Sequence, residues 1–282
     1  MTHASTARPG NRTWGAIATG ATLLLGVLWA FPLLWAVLTA LKTEEQAVAQ
    51  PLQWLPTTPT FTAFRDVLTV GNLPRWFLNS ALTSLAITLA TVALAALAAY
   101  AFSQLQFRGK NILFWVFLAG IMVPFEALLI PLFRLMNDLG TVNTYAGIIL
   151  PQIVSPVAVY VFKGFFDQVP KEIREAAVVD GANEWRILWN VFVPLSGTVL
   201  WAIGIVTFIA AWNNFLWPFI ITTSPEMMTI PLGLTQVQDA YGLRFARTMA
   251  TAVLGGLPVV LAYLIFQRRV TEGFLTVTGV KG

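Results

Sequence analysis

The segment EIREAAVVDGANEWRILWNVFVP, residues 172–194, differs from the rest of the chain because small and charged residues interrupt the long apolar stretches on either side of it. Pro170 suits the first turn of a helix, and Glu172 places a negative charge near the positive N-terminal end of that helix. Ala176 and Ala177 are strong helix formers. The pattern predicts a short polar helix between two apolar spans.

A small-residue face and a sharp end characterise this predicted helix. Ile173, Ala176 and Ala177 fall on one side at spacings of three and four, which leaves little side-chain bulk and lets another surface approach closely. The Asp180-Gly181 pair then ends the helix, because glycine readily adopts the left-handed turn that closes many helices. The segment is typical of a docking element, and an amphipathic connector at the membrane surface is the alternative.

Composition indicates a membrane protein. Of the 282 residues, 57% are hydrophobic and 11% are charged, and the mean hydropathy is +0.71; an average soluble domain has about 25% charged residues. The sequence contains no cysteine, which excludes disulfides, thiolate nucleophiles and cysteine-ligated metals, and its single histidine, His3, argues against a histidine-based site. The basic residues behind the net charge of +4 lie mostly beside apolar runs, which favours membrane orientation over nucleic-acid binding.

Six apolar segments are long enough to cross a bilayer, which needs about 20 mostly apolar residues per helix. The first is too long for the apolar core of a signal peptide, and no small-residue cleavage site follows it. The sequence therefore predicts an all-α integral membrane protein with six transmembrane helices. The predicted spans are Trp14 to Leu41, Leu78 to Phe102, Ile112 to Leu132, Tyr145 to Phe162, Leu195 to Ile221 and Thr248 to Phe266.

Lysine and arginine residues orient these spans. Six spans put both termini on one side, and eleven of the 17 Lys and Arg residues fall in the loops and tails of that side. The positive-inside rule therefore predicts cytoplasmic termini. On this basis residues 1–13 and 269–282 are cytoplasmic tails, residues 14–268 form the transmembrane domain, and the polar segment (residues 170–194) faces the cytoplasm.

The polar segment resembles the EAA loop of ABC-importer permeases. Its spacing is that of the family motif, with valines in place of an isoleucine and a leucine. The matching residues are, in chain order, Glu175, Ala176, Ala177, Gly181, Val191, Val193 and Pro194.

Other stretches resemble the maltose-type carbohydrate permeases along nearly the whole chain. The C-terminal QRR at 267–269 and GVKG at 279–282 are similar to the smaller of the two permeases in such systems. The further matching stretches are NSALTSLAITLA at 79–90, AAYAFSQLQFRGK at 98–110, MVPFEALLIPLFRLMNDLGTVNTYAGIILP at 122–151, AWNNFLWPFIIT at 211–222 and TIPLGL at 229–234.

The resemblance implies the type I ABC-importer permease fold and a set of partners. Such a permease pairs with a second homologous permease, two ABC ATPase subunits and an extracytoplasmic solute-binding protein in the bacterial inner membrane. Its substrate is a sugar or oligosaccharide. The residues implied to contact the ATPase are Glu175, Ala176, Ala177, Asp180 and Gly181 in the coupling helix, and Gly279, Lys281 and Gly282 in the C-terminal tail.

The sequence has no phosphate-binding loop of its own. A P-loop needs Gly-x-x-x-x-Gly-Lys followed by Ser or Thr, and the Gly109-Lys110 pair lacks both the upstream glycine and the downstream hydroxyl. The chain is therefore predicted to be a non-catalytic subunit that binds no cofactor, while ATP and Mg²⁺ bind to the partner ATPase subunits.

Three polar residues within predicted spans are candidates for the translocation path. Glu126 lies in the third span, where an ionisable side chain is costly unless it faces a cavity or a partner helix. Asn213 and Asn214 lie in the fifth, where amides suit either sugar hydroxyls or interhelical hydrogen bonds. A lone carboxylate at membrane depth also suits a proton-coupled secondary transporter, which is the alternative function; a non-transporting scaffold is a second. Asn79 and Ser80 are interpreted as a helix start.

The predicted outer loop from Thr222 to Arg247 is the candidate contact for the solute-binding protein. In similar permeases such a loop reaches into the cleft of that protein and helps to release the sugar. A solvated connector is the alternative. The residues concerned are Leu232, Gly233, Gln236 and Tyr241.

Overall fold

The structure, a computed structural model, describes residues 10–69, 72–236 and 244–278, and these ranges contain helices but no β-strand. The predicted all-α fold class is confirmed. Up to the polar segment the α-helices are α1 (Gly10–Ala40), α2 (Glu44–Ala47), α3 (Thr62–Thr69), α4 (Leu73–Gln104), α5 (Lys110–Ala119), α6 (Phe125–Asp138), α7 (Tyr145–Ile149) and α8 (Pro156–Phe166). From the polar segment onward they are α9 (Lys171–Val179), α10 (Glu184–Ile187), α11 (Val193–Leu195), α12 (Gly197–Trp212), α13 (Leu216–Ile221), α14 (Ile230–Gly233) and α15 (Phe245–Thr278).

The described helices provide up to six membrane spans, in agreement with the predicted number. Trp14–Ala40 of α1, the whole of α4, and Phe245–Gln267 of α15 are each long and apolar enough to cross a membrane. Three further stretches qualify when each bent pair of helices is counted as one span. The bends are 102° between α5 and α6, 48° between α7 and α8, and 81° between α11 and α12.

Prolines account for the positions of several breaks. A proline inside a helix has no N–H to donate, and its ring clashes with the carbonyl group four residues earlier. Two helices are interrupted at Gln152 and at Asn214. Pro156 lies four positions after the first of these residues, and Pro218 lies four positions after the second. Before Pro124, Val123 has the extended conformation that residues preceding proline prefer, with a ψ of 115°.

Three predicted spans are therefore wrong as continuous helices. The third, Ile112 to Leu132, turns by 102° at the residues before α6. The fourth, Tyr145 to Phe162, is interrupted between Gln152 and Pro156, where the helices bend by 48°. The fifth, Leu195 to Ile221, is helical only to Trp212 and resumes at Leu216. Helix also extends into both predicted tails, because α1 begins at Gly10 and α15 continues to Thr278 with no proline after Pro258 to stop it.

The described residues divide into two compact units. The larger unit contains residues 72–236 and 255–278, and the smaller contains residues 10–69 and 244–254. In the larger unit, α4 packs along both α8 and α12. These contacts depend on close van der Waals fit, because lipid tails are as apolar as the side chains and exclusion of water contributes little between spans.

An aromatic cluster fills the end of the larger unit from which the polar segment departs. Tyr100, Phe162, Phe166 and Phe192 are all buried, and none is more than 4% exposed. The ring centroids of Tyr100 and Phe192 lie 5.1 Å apart, and those of Phe166 and Phe192 lie 5.3 Å apart, both in the edge-to-face arrangement that aromatic pairs prefer. The cluster fixes the end of α4 to α8 and to the C-terminal part of the polar segment.

The smaller unit combines an exposed span with a tightly bonded connection. No residue in the most apolar window of α1 is buried, as expected of a helix in an apolar solvent. Beyond α1, Lys42 is 2% exposed and its Nζ donates a 2.5 Å hydrogen bond to the Gln53 carbonyl; burial lowers the pKa of Lys42. The Glu44 carboxylate accepts hydrogen bonds from the N–H groups of Ala246 and Arg247, which closes the N-terminal end of α15.

Candidate functional site

A glycine turn ends α9 and fixes the direction in which the chain leaves it. Gly181 has a φ of +78°, a left-handed conformation that glycine adopts without strain. Its N–H donates to the Val178 carbonyl, and the Ala182 N–H donates to the Ala177 carbonyl, both at 3.0 Å. This pair of bonds is the Schellman arrangement. The predicted short helix and its glycine-dependent end are confirmed.

The outer face of α9 carries most of the residues implied to contact an ATPase. Ala177 is the exception, because it packs against the aromatic cluster. Ala177 therefore does not share an exposed face with Ile173 and Ala176, contrary to the prediction from the sequence. The large apolar side chains that are exposed on α9 are those of Ile173, Val178 and Val179. The implied contact residues that are exposed are Glu175, Ala176, Asp180 and Gly181.

A single carboxylate connects the polar segment to α4. The Tyr100 hydroxyl donates a 2.5 Å hydrogen bond to Oε2 of Glu184, and Oε1 of Glu184 forms an ion pair with Arg174 of α9. Burial by itself would lower the pKa of Arg174, but its hydrogen bonds to Tyr100 and Glu184 and the charge of the carboxylate outweigh burial and raise that pKa. The guanidinium of Arg174 stays charged.

A second set of polar contacts ties the end of α8 to the end of α4. Asp167 accepts a 2.7 Å hydrogen bond from the Ser103 hydroxyl and forms a 2.6 Å ion pair with Lys163. Gln104 donates from Nε2 to the Phe166 carbonyl at 3.1 Å. Partly exposed pairs of this kind contribute about 0–1 kcal/mol each, so they orient the two helix ends more than they stabilise the fold.

Two helix breaks lie side by side in the larger unit. Nδ2 of Asn214, between α12 and α13, donates a 2.5 Å hydrogen bond to Oε1 of Gln152, between α7 and α8. Oδ1 of Asn214 accepts from the Trp217 N–H at 3.4 Å, and Nε2 of Gln152 donates to the Ile148 carbonyl at 2.7 Å. Each amide side chain thus replaces part of the backbone bonding lost at its own break. Asn214 makes an interhelical hydrogen bond, one of the two roles expected of it.

Glu126 and Asn213 are exposed, and neither lies inside a continuous helix as expected from the predicted spans. Glu126 occupies the first turn of α6, directly after the 102° bend. Its neighbour Phe125 packs edge-on against Trp217 with ring centroids 6.3 Å apart, which brings the start of α6 to α13. Nδ2 of Asn213 donates to the Ile209 carbonyl of its own helix. Among the residues that the structure describes, no hydrogen bond or ion pair joins Glu126 to either asparagine.

The loop that follows α13 is held on the opposite end of α4 by Asn79. Nδ2 of Asn79 donates to the carbonyls of Glu226 and Met228 at 2.7 and 2.8 Å. Its Oδ1 accepts a 2.7 Å hydrogen bond from the Tyr145 hydroxyl. Asn79 is fully buried, and these three side-chain hydrogen bonds join α4 to α7 and to the loop.

The interpretation of Asn79 and Ser80 as a helix start is therefore wrong. The helix begins at Leu73, where Pro74 occupies the early position that proline tolerates, so both polar residues lie inside α4. Oγ of Ser80 accepts a 2.8 Å hydrogen bond from the Ile230 N–H and, like Asn79, supports the loop.

Residues predicted to contact a solute-binding protein fall into two groups. Leu232 is 3% exposed, and a Cβ on Gly233 would lie 2.2 Å from a ring carbon of Trp76. These two residues hold the loop against α4, and in this conformation they present no surface to a partner. Gln236 is exposed. Of the residues expected to contact a partner, Tyr241, Gly279, Lys281 and Gly282 lie outside the described ranges.

Tyr100, Gln152 and Glu184 were not predicted as site residues. Tyr100 is the only tyrosine in the predicted second span. A hydroxyl group at that depth requires a hydrogen-bond partner, and this requirement is the signal that could have identified Tyr100. Glu184 gave no local signal, because charged residues are common in the polar segment. In the described ranges, no three or more His, Cys, Asp or Glu side chains are grouped so that they could hold a metal ion.

Comparisons with known proteins agree with this architecture. Residues 91–272 match the family described as "Binding-protein-dependent transport system inner membrane component". The chain is 36% identical over 255 residues to the arabinooligosaccharides transport system permease protein AraQ of Halalkalibacterium halodurans, which covers 89% of this chain and 91% of the relative. It is 32% identical over 264 residues to the sulfoquinovosyl glycerol transport system permease protein SmoH of Agrobacterium fabrum, which covers 93% and 92% of the two chains.

A solved structure shares the fold. It is a crystal structure of a bacterial ABC transporter involved in the import of the acidic polysaccharide alginate, and one of its chains superposes with a TM-score of 0.84. The match covers 94% of this chain and 99% of that chain at 19% sequence identity. The likeness establishes the fold of the chain.

Proposed function

Because the chain belongs to the family of binding-protein-dependent transport system inner membrane components, we propose that it is the permease subunit of an ATP-driven ABC importer for a sugar or oligosaccharide. The chain is a multi-pass membrane protein, and its relatives are permease proteins of transport systems. In the proposed complex it forms half of the translocation path, and a second, homologous permease forms the other half.

The observation that carries the proposal is the exposed apolar surface on α9. Ile173, Val178 and Val179 are 38%, 47% and 87% exposed, although α9 is a polar helix outside the spans. Ile173, Ala176 and Val179 lie at spacings of three along one exposed face of α9 and form an apolar cluster there, whereas Val178 lies on another side of the helix. Clustered apolar side chains at a surface mark an interaction site, and the Gly181 turn holds this cluster in one orientation. The partner is an ATPase subunit, which contacts α9 through its exposed residues. Those residues are Glu175, Ala176, Asp180 and Gly181 together with the apolar cluster.

The partner subunits supply the energy for transport. The sequence has no P-loop, so two ATPase subunits bind ATP and Mg²⁺, and their closure moves α9 and then the spans. This places α9 and both termini in the cytoplasm, as the distribution of Lys and Arg predicts. The tail residues Gly279, Lys281 and Gly282 extend the contact with the ATPase subunits.

The solute crosses beside the helix breaks of the larger unit. Irregular backbone at membrane depth is tolerated where it is buried in protein or lines a water-filled cavity. Asn214 and Gln152 meet at two of these breaks, Asn213 is exposed at the same break as Asn214, and Glu126 is exposed directly after the bend between α5 and α6. Amide and carboxylate groups suit the hydroxyl groups of a sugar, so these residues line the proposed path.

Relatives and family support the substrate class and the delivering partner. The two relatives described above are named for the transport of arabinooligosaccharides and of sulfoquinovosyl glycerol, which are both carbohydrates or carbohydrate conjugates. The family is defined by dependence on a binding protein, so an extracytoplasmic solute-binding protein delivers the sugar to this permease. Gln236, on the loop that Asn79 supports, and Tyr241, later in the predicted outer loop, are the proposed contacts for that protein.

Proton-coupled transport through Glu126 is the alternative. It is motivated by the exposed carboxylate at the 102° bend, and it requires neither an ATPase nor a binding protein. Membership of a family named for its binding proteins favours the importer.

Copurification tests the proposal directly. The chain is extracted from its native membrane in a gentle detergent after chemical crosslinking, the associated proteins are identified by mass spectrometry, and ATP hydrolysis by the preparation is measured. We expect a P-loop ATPase and a second permease to copurify with it. Repeated recovery of the chain alone, without ATP hydrolysis, would contradict the importer and favour the proton-coupled alternative.

A further inference from the structure

Glu184 is the point at which three separate pieces of the larger unit meet. Its Oε2 accepts the Tyr100 hydroxyl of α4 at 2.5 Å, and its Oε1 pairs with Arg174 of α9, ten positions earlier in the chain. Glu184 itself is the first residue of α10. One side chain therefore connects a membrane span, the docking helix and the helix that leads back into the membrane.

The Tyr100 side of this connection is rigid. Tyr100 is 4% exposed, and its ring is held edge-on between Phe166 and Phe192, with centroid distances of 6.5 and 5.1 Å. A hydroxyl bonded to a carboxylate forms a stronger, shorter hydrogen bond than a neutral pair. Because the ring cannot move independently of the aromatic cluster, the position of Oε2 is defined relative to α4.

The Arg174 side bridges the Gly181 turn, about which α9 would pivot if the ion pair were absent. Arg174 and Glu184 lie on either side of the Gly181 turn, which is otherwise closed by two backbone hydrogen bonds. Their side chains are 27% and 44% exposed, so the pair contributes little to the free energy of unfolding. An ion pair with a small effect on stability can still fix an orientation, because it removes the freedom of α9 to pivot about the turn.

We propose that Glu184 is a positioning residue that makes α9 and α4 move as one body, so that a displacement of α9 is passed to the second membrane span. This inference rests on the proposed function, since an ATPase subunit supplies the displacement. Without the carboxylate, α9 still docks on its partner, but its motion is absorbed at the Gly181 turn. Tyr100 and Arg174 are the side chains through which Glu184 holds α4 and α9.

Spin labels on single cysteines test the inference in the copurified complex, reconstituted in lipid nanodiscs. The chain has no native cysteine, so a label at Lys171, an exposed residue at the start of α9 and outside the proposed ATPase contact, reports on α9. A label at Gln106, an exposed residue two positions after α4, reports on that span. ATP with vanadate is added, and the change in the spectrum at each position is recorded. In the parent protein we expect ATP to change both spectra.

The key variants are Glu184→Gln, which keeps the size of the side chain but removes its charge, and Tyr100→Phe, which keeps the ring but removes the hydroxyl. We expect both to retain the ATP-dependent change at Lys171 and to reduce the change at Gln106 at least fivefold. Asp167→Asn is the matched control, because it breaks the ion pair with Lys163 at the same end of the unit without touching α9. It should leave both changes intact.

Two results would overturn the inference in distinguishable ways. If Glu184→Gln and Tyr100→Phe respond at Gln106 like the parent protein, Glu184 does not transmit the motion, whereas the importer assignment stands. If the parent protein shows no ATP-dependent change at Lys171, both the importer assignment and the role of Glu184 fail. If Glu184→Gln does not fold, Tyr100→Phe alone decides the question, because its aromatic packing is preserved.

Discussion

The side-chain amide of Asn214 donates a 2.5 Å hydrogen bond to the side-chain amide oxygen of Gln152, and each of these residues lies four positions before a proline. Pro156 and Pro218 interrupt their helices at those positions, because a proline ring excludes the carbonyl group four residues earlier. Two broken spans therefore expose polar backbone at the same place, and the two amides join there. The place where these two helix breaks lie side by side is the part of the larger unit best suited to a polar solute.

The Asn214–Gln152 contact predicts a measurable coupling energy. Asn214→Leu or Gln152→Leu leaves the other amide without its partner, and each should lower the free energy of unfolding by about 1–2 kcal/mol. The double variant should lose less than the sum, with a coupling of about 0.5–1.7 kcal/mol, measured by unfolding the purified chain in mixed micelles. Asn213→Leu is the control, because its amide bonds only within its own helix. Additive losses would contradict the contact.

Substitution of Gly181 is expected to reduce transport without reducing insertion of the chain into the membrane. Gly181→Ala places a side chain at a φ of +78° and costs about 1–2 kcal/mol locally, so the turn and the orientation of α9 change. ATP-dependent uptake should fall several-fold at an unchanged amount of protein in the membrane, with an arabinooligosaccharide as the first sugar tested. Gly164→Ala, on an exposed face of α8 with nothing near its Cβ, should transport normally. Equal uptake by the two variants is the contrary outcome.

Substitution of Gly233 is expected to lower the stability of the protein through the packing of the loop on the other end of α4. Gly233→Ala drives a Cβ to within 2.2 Å of the Trp76 ring, so the loop must separate from α4 or the indole must move. Overpacking of this kind should lower the free energy of unfolding by about 1–3 kcal/mol, seen as a lower melting temperature of the purified chain. Gly256→Ala, which meets nothing within 4 Å, serves as the comparison. Matching melting temperatures would show that the loop is not packed as described.

Glu126 separates the two candidate mechanisms. Glu126→Gln removes the titratable group while keeping the side-chain shape, so an ATP-driven importer should retain uptake within about twofold and keep the same pH dependence. Uptake is measured over a range of pH, and Glu226→Gln, another exposed carboxylate whose backbone alone holds the loop, provides the comparison. Abolished uptake or an altered pH profile in Glu126→Gln, and not in Glu226→Gln, would favour proton coupling.

Local rules explain why the polar segment was predictable. The helix α9 follows from Pro170 and two alanines, and its end follows from a glycine in a left-handed turn. The apolar spans follow from composition in the same way. None of these features depends on residues far away in the sequence, so the sequence carries the full signal for each of them.

The breaks and the long-range contacts could not be predicted in the same way. Pro32 and Pro258 lie inside helices, whereas Pro156 and Pro218 coincide with breaks, and the difference depends on whether a side chain such as Gln152 or Asn214 can take over the lost bonding. The link between Tyr100 and Glu184 joins residues 84 positions apart. Asn79 was misinterpreted for a related reason, since its partners belong to a loop about 150 residues later.

Site-specific crosslinking from α9 tests the central claim most directly, namely that this helix docks on a separate ATPase. Val179 is 87% exposed and the chain has no native cysteine, so Val179→Cys gives one attachment point in intact membranes. The control is Thr223→Cys, an exposed position on the loop that Asn79 supports. We predict that Val179→Cys captures a P-loop ATPase and that Thr223→Cys does not. Capture of no ATPase from Val179, or equal capture from both positions, would contradict the proposed coupling role of α9.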